Sequence, residues 1–176
     1  MPRDASAGDL QRACRGADTG LDSLRPSDGM HRIEAAGRTG EAMEVEGGCY
    51  CKNIRYRAAG DALMKAVCFC RECQHVSGGG PVWIMAMPAK DFAYTQGEPN
   101  AFSRSDLEQP VTREFCPQCG TQLLSRVPSM SDAVILKVGT LDDPSIFDPQ
   151  VAIYTGEMQS FHRLPDDVAA FEKTPG

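Results

Sequence analysis

Three thiols fall within six positions in "VCFCRECQHVSGGG" (67–80): Cys68, Cys70 and Cys73. Two pairs accompany them, Cys49 and Cys51 in "GGCYCKN" (47–53) and Cys116 and Cys119 in "FCPQCGT" (115–121). An eighth cysteine, Cys14, stands alone. Thiols grouped at spacings of two and three wrap a soft metal ion, whereas a disulfide framework spreads its cysteines. A structural zinc takes four protein donors; a catalytic zinc takes three and keeps one position for water or substrate. The seven grouped sulfurs divide as four plus three with none left over.

In "FCPQCGT" the Cys-x-x-Cys is followed by Gly120, the residue that tolerates the positive φ of a tight knuckle. A redox dithiol with this spacing sits between a strand and a helix, but here the flanks "VTREF" and "TQLL" read as two strands of a hairpin. In "GGCYCKN" an extended backbone puts Cys49 and Cys51 on one face and points Tyr50 away. With Cys116 and Cys119 they complete a closed, structural four-thiolate shell. Cys68, Cys70 and Cys73 then hold a second zinc with one corner open. Three thiolates give that ion a net negative charge, a poor setting for polarising water and a good one for a soft sulfur guest. The substrate class expected is therefore a thiol. Spacing leaves two alternatives open: His75 as a fourth ligand, or a shell that mixes 68, 70 and 73 with 116 or 119. Glu72 and His75, adjacent to these ligands, are the candidates for moving protons.

The elements that must position these thiols read as β. "NIRYRA" (53–58) alternates Ile54 and Tyr56 against Arg55 and Arg57, and "PVWIMAM" (81–87), "REFC" (113–116), "TQLL" (121–124) and "AVILKVG" (133–139) carry strand composition. "DFAYTQGEPNAF" (91–102) predicts a strand, a turn at Gly97–Asn100 and another strand, and "RECQHVSG" predicts a short helical turn. The expected fold is a mainly β, mostly antiparallel domain over 45–176. Residues 1–44 have too few large apolar residues to offset the ordering entropy and predict a disordered or loosely attached extension, with a helical turn around Leu10–Cys14; a later translational start at Met30 or Met43 explains it equally well.

The whole chain has 176 residues and a formal charge of −6, the size of one domain or one domain plus a tail. The acidic balance opposes a nucleic-acid grip built on phosphate neutralisation. The opening residues carry no apolar core of a secretory signal, and the longest apolar run, "VWIMAM" (82–87), is too short to span a bilayer, so no membrane partner and a cytoplasmic location are expected.

"GGCYCKNIRY", "CFCRECQHVSGG", "FCPQCGTQL", "GTLDDP" (139–144) and "FHRLPDDVAAFE" (161–172) together resemble the glutathione-dependent formaldehyde-activating enzyme (GFA) family, which shares its domain with the centromere protein V group. The resemblance spans about 45–172. It implies a Mss4-like antiparallel β domain with two zinc ions and short helical turns. Cys49, Cys51, Cys116 and Cys119 would hold the structural ion, and Cys68, Cys70 and Cys73 the catalytic one. It further implies carbon–sulfur lyase chemistry, the joining of formaldehyde to glutathione as S-hydroxymethylglutathione and its reversal. Phe69 stands where the family often has His, and Phe161 where it often has Trp.

Rival functions are weaker. A non-catalytic, zinc-stabilised protein-interaction module of the same fold is the alternative. A zinc nucleobase deaminase is suggested only by "CRE" (70–72), and it needs Pro before its Cys-x-x-Cys, whereas Pro117 lies inside the pair. A nucleic-acid zinc ribbon predicts basic and aromatic interleaving around the knuckles, which is absent.

Overall fold

The alternating runs become strands wherever one face of the run can be buried. The computed structural model describes residues 43–175; the expected helical turn at Leu10–Cys14, and the expected extension except for its last two residues, lie outside the described residues. A small antiparallel sheet contains β1 (Glu44–Gly48), β2 (Arg55–Ala59) and β5 (Phe92–Gln96), in that order. In β2, Tyr56 and Ala58 are buried while Arg57 faces water, as strict alternation requires.

The larger sheet has eight strands: β3 (Met64–Cys68), β4 (Val82–Pro88), β6 (Asn100–Phe102), β7 (Thr112–Phe115), β8 (Gln122–Arg126), β9 (Ala133–Lys137), β10 (Val151–Ile153) and β11 (Ala169–Ala170). Its order is β11-β10-β3-β4-β9-β8-β7-β6. Every pairing is antiparallel except those of β10, which runs parallel to both β3 and β11. The two strands read from "DFAYTQGEPNAF" exist but separate after Gly97, β5 joining the small sheet and β6 the edge of the large one.

Alternation along β4 and β9 gives the large sheet two different faces. Met85, Met87, Val134 and Leu136 pack with Val45, Ile54, Tyr56 and Ala58 of the small sheet in one core cluster. Ala66, Cys68, Ile84, Ala86, Ala133, Ile135 and Ile153 form a second cluster from the alternate positions. Each large side chain buried this way contributes about 1.5–3 kcal/mol. The one α-helix among the described residues, α1 (Arg71–Ser77), follows β3; Cys70 is its N-cap, and Gly78 closes it in the left-handed conformation with φ 77°.

Gly47 shows how tightly the small sheet meets the large one. The buried Tyr56 hydroxyl pairs with Thr140 Oγ1 at 2.7 Å, directly above the Gly47 backbone. A Cβ at position 47 would overlap both the Thr140 carbonyl oxygen and the Tyr56 hydroxyl. Gly47→Ala is expected to destabilise the protein by about 2–4 kcal/mol through overpacking and loss of that hydrogen bond. A denaturant midpoint unchanged from wild type would contradict this.

Candidate functional site

The first thiol cluster is built from two turns that face each other. Cys49 and Cys51 lie in the connection between β1 and β2, not in the extended segment expected from their spacing. The turn closes through Lys52 N–H donating to the Cys49 carbonyl at 2.9 Å, with Lys52 at φ 62°. A turn curls both sulfurs inward and still leaves Tyr50 in water, 90% exposed. Opposite, Cys116 and Cys119 occupy the β7–β8 hairpin tip, where the Gly120 N–H donates to the Cys116 carbonyl and Gly120 takes φ 72°. That is the knuckle the sequence predicts.

The four sulfurs all lie within 4.8 Å of one another. Cys49 Sγ is 3.5 Å from Cys51 Sγ, and Cys51 Sγ is 3.7 Å from Cys116 Sγ. A tetrahedron of sulfurs about 2.3 Å from a central zinc has edges of about 3.8 Å. These spacings therefore fit a zinc ion, and all seven thiols of the two clusters are free. Backbone and hydroxyl donors support the thiolate form: Ile54 N–H donates to Cys49 Sγ at 3.2 Å, and the Thr121 hydroxyl lies 3.1 Å from Cys119 Sγ. The Thr121 contact leads in holding the Cys119 thiol down to about 5. Thr121 also accepts from Tyr50 N–H at 3.1 Å, so one hydroxyl joins the two turns. Cys49 and Cys116 belong to the core between the sheets, which makes this cluster part of the packing.

The second cluster belongs to the other face. Cys68 ends β3, Cys70 caps α1 in an extended conformation, and Cys73 returns one turn later. Their sulfurs also lie within 4.8 Å of one another. The Cys73 N–H points to Cys70 Sγ at 3.4 Å. Hydrogen bonds from the Cys68 and Cys73 thiols, with that backbone donor, hold the Cys70 thiol down to about 2. Its neighbours and burial push the Cys68 thiol up. Three thiols converging on one point are the donor set a soft divalent cation selects. No fourth Cys, His, Asp or Glu joins this cluster among the described residues. The sulfurs open instead on a cavity of about 580 Å³ with walls of Met64, Ile84, Ile135 and Ile153. Ligand sites are of this size and largely apolar.

The remaining candidates separate cleanly. His75 is exposed and lines a neighbouring cavity, away from the three-thiol cluster, so the knuckle closed by histidine does not form. Glu72 reaches the thiol cavity, but its carboxylate pairs with Arg113 and lies 3.9 Å from Arg104. Phe69 is fully buried against Val67 and Ala152, with its ring 5.5 Å from that of His162. It packs in a different cluster from Cys68, Cys70 and Cys73 and does not line their cavity. Phe161 is 67% exposed and stacks edge-on against His162. His162 itself ties the chain together: its Nδ1 accepts from Gln159 N–H, leaving Nε2–H to donate to the Gly79 carbonyl at 2.7 Å.

Lys137 is the residue that sequence reasoning passed over. It closes "AVILKVG" at an inward strand position, is only 8% exposed, and lines the thiol cavity. The signal was a cation in register with Ala133 and Ile135, where the apolar alternation calls for another aliphatic residue.

Comparison with known proteins now decides the family. The family model described as "glutathione-dependent formaldehyde-activating enzyme" matches residues 44–157. The chain belongs to that family. The mainly β architecture with one short helix and two cysteine clusters is that of the GFA, Mss4-like fold, and each cluster could hold a zinc ion. No curated protein matches the chain. A crystal structure of a Rhodobacter sphaeroides protein, a structural genomics target, is 16% identical with a TM-score of 0.46, covering 55% of this chain and 87% of that one. Among the described residues no helix is long and apolar enough to cross a membrane.

Proposed function

We propose that this GFA-family chain is a carbon–sulfur lyase that makes and breaks a thiol–aldehyde adduct of the S-hydroxymethylglutathione type at Cys68, Cys70 and Cys73. The observation that carries this is the contrast between the two clusters. The four-thiol cluster has a complete donor set, anchored in the core by Cys49 and Cys116, whereas the three-thiol cluster lacks one donor and faces a cavity of about 580 Å³. In this reading Cys49, Cys51, Cys116 and Cys119 hold a structural zinc, and Cys68, Cys70 and Cys73 hold a catalytic one. A zinc bound there would supply a binding position for a substrate thiol and lower its pKa, so that it is held as thiolate.

The chain's own residues do the rest. The neighbouring thiols and the Cys73 N–H lower the Cys70 pKa, which favours its thiolate form. The aliphatic walls beside the sulfurs confine a small aldehyde next to the thiolate, which raises its effective concentration there. The Glu72–Arg113 pair borders the cavity and fixes the first turn of α1 against β7.

Exchange between glutathione plus formaldehyde and their adduct, followed at equilibrium by NMR, tests the proposal. The expected result is exchange accelerated in proportion to protein concentration, together with a change in the visible spectrum of the cobalt-substituted protein when glutathione is added. No acceleration and no spectral change would return the chain to the reading as a non-catalytic zinc module.

A further inference from the structure

Lys137 stands in β9 with its side chain on the face shared by Ala133 and Ile135, the face that carries the three thiols. Its ammonium has three donors, and one of them is used, donating to Ser125 Oγ at 3.0 Å. No carboxylate pairs with it among the described residues. Of the other cations lining the cavity, Arg113 on β7 is already tied to Glu72, and Arg71 is exposed to water and donates to Gln74. An ammonium taken out of water costs several kcal/mol unless anions face it; here the facing anions are the three cysteine sulfurs rather than a carboxylate, so the two remaining donors stay available to an anion that enters at that cluster. The groups around it are Cys68 at the end of β3, Cys70 and Cys73 at the start of α1, Arg113 on β7 and Ser125 on β8; Ile84 lies directly across on β4. All of them border the same cavity.

We propose that the Lys137 ammonium is the anion-binding group of this cavity, placed to hold the oxygen that turns negative when a thiolate at the three-cysteine cluster adds to an aldehyde. The catalytic half of this statement rests on the function proposed above; the anion-binding half does not. In the addition, the sulfur lone pair forms the S–C bond and the C=O π pair moves to oxygen. That alkoxide takes a proton from Lys137 Nζ, and the amine regains one from the next thiol to enter, so thiol plus aldehyde gives hemithioacetal with no net proton. In reverse, the amine removes the hydroxyl proton, the S–C bond breaks and the aldehyde leaves. A donor held beside a developing oxyanion acts more strongly on the transition state than on the ground state. Burial lowers the Lys137 pKa, which eases proton release; Arg113 acts in the same direction, and the three cysteines oppose it.

The test compares two small thiols, mercaptoacetate and 2-mercaptoethanol, titrated into cobalt-substituted protein. Mercaptoacetate places a carboxylate oxygen one bond beyond the hemithioacetal oxygen; 2-mercaptoethanol carries no charge there. Wild type is expected to prefer mercaptoacetate by about 10-fold or more, the range of one charge-assisted hydrogen bond. Lys137→Met should erase that preference while leaving 2-mercaptoethanol binding and metal content unchanged, and Lys137→Arg should keep it. Adduct exchange in Lys137→Met should fall by about 100-fold or more with the KM for thiol little changed. In zinc-loaded wild type, the Lys137 ¹⁵Nζ resonance should shift with mercaptoacetate and not with 2-mercaptoethanol, which decides the matter even if a variant fails to fold. Equal affinity for the two thiols, or a preference that survives in Lys137→Met, would overturn the proposal. A preference that depends on Lys137 in a protein that accelerates no adduct exchange would uphold the anion site and discard the thiol–aldehyde function.

Discussion

Cys116→Ser is expected to abolish the folded state. Cys116 is fully buried, sits in the core between the two sheets, and closes the β7–β8 tip through its own N–H and carbonyl. Its sulfur is 3.7 Å from that of Cys51, across the gap between two turns otherwise joined by Thr121. A structural four-thiolate zinc contributes on the order of 10–16 kcal/mol of apparent free energy. The whole stability of a domain is about 5–15 kcal/mol, so weakening that site removes a term as large as the total. The purified variant should lose its cooperative thermal transition, and chelation of wild type under native conditions should reach the same state. A Cys116→Ser protein that melts cooperatively near the wild-type temperature would show that this cluster does not hold the fold.

Cys70→Ser is expected to do the opposite: keep the fold and lose the chemistry. Cys70 caps α1, and serine is among the best residues at a helix N-cap, so the local backbone should survive. The cluster it leaves has two thiols, Cys68 and Cys73, facing an open cavity. Zinc content should drop from one ion per cluster to the four-thiol ion alone, the thiol-dependent spectral change should vanish, and adduct exchange should return to the uncatalysed rate. The melting curve should remain cooperative. If Cys70→Ser and Cys116→Ser unfold alike, the division between a structural and a working ion is wrong.

Much of this arrangement was legible in the residues. The knuckle at Cys116–Gly120 followed from Cys-x-x-Cys-Gly between two strand runs, because the turn demands a residue free to take positive φ. The helical turn in "RECQHVSG" and the strands around Tyr56, Ile84 and Leu136 followed from periodicity, since burial of one face is a local demand that composition records. Cys49 and Cys51 were paired correctly for a reason that the backbone did not honour. A turn and a strand both bring residues two apart to one side, and Lys52 in the left-handed conformation has no glycine to announce it. The parallel pairing of β10 was not legible: three residues of strand say nothing about a partner that lies more than eighty positions away.

By itself the sequence determined that seven thiols come as two pairs and a triplet, that the frame around them is β, and that the chain carries the family's motifs. These are properties of spacing and composition, and spacing survives any arrangement of the chain that keeps neighbours together. Only the tertiary structure decided that the two pairs meet in one group of four, and that this group and the triplet lie in different environments, one anchored in a core cluster through Cys49 and Cys116 and one on an alternate face beside a cavity. It alone brought Lys137 to that cavity, because a strand's two faces are distinguished by what packs on each, and that is settled by contacts between residues far apart in the chain.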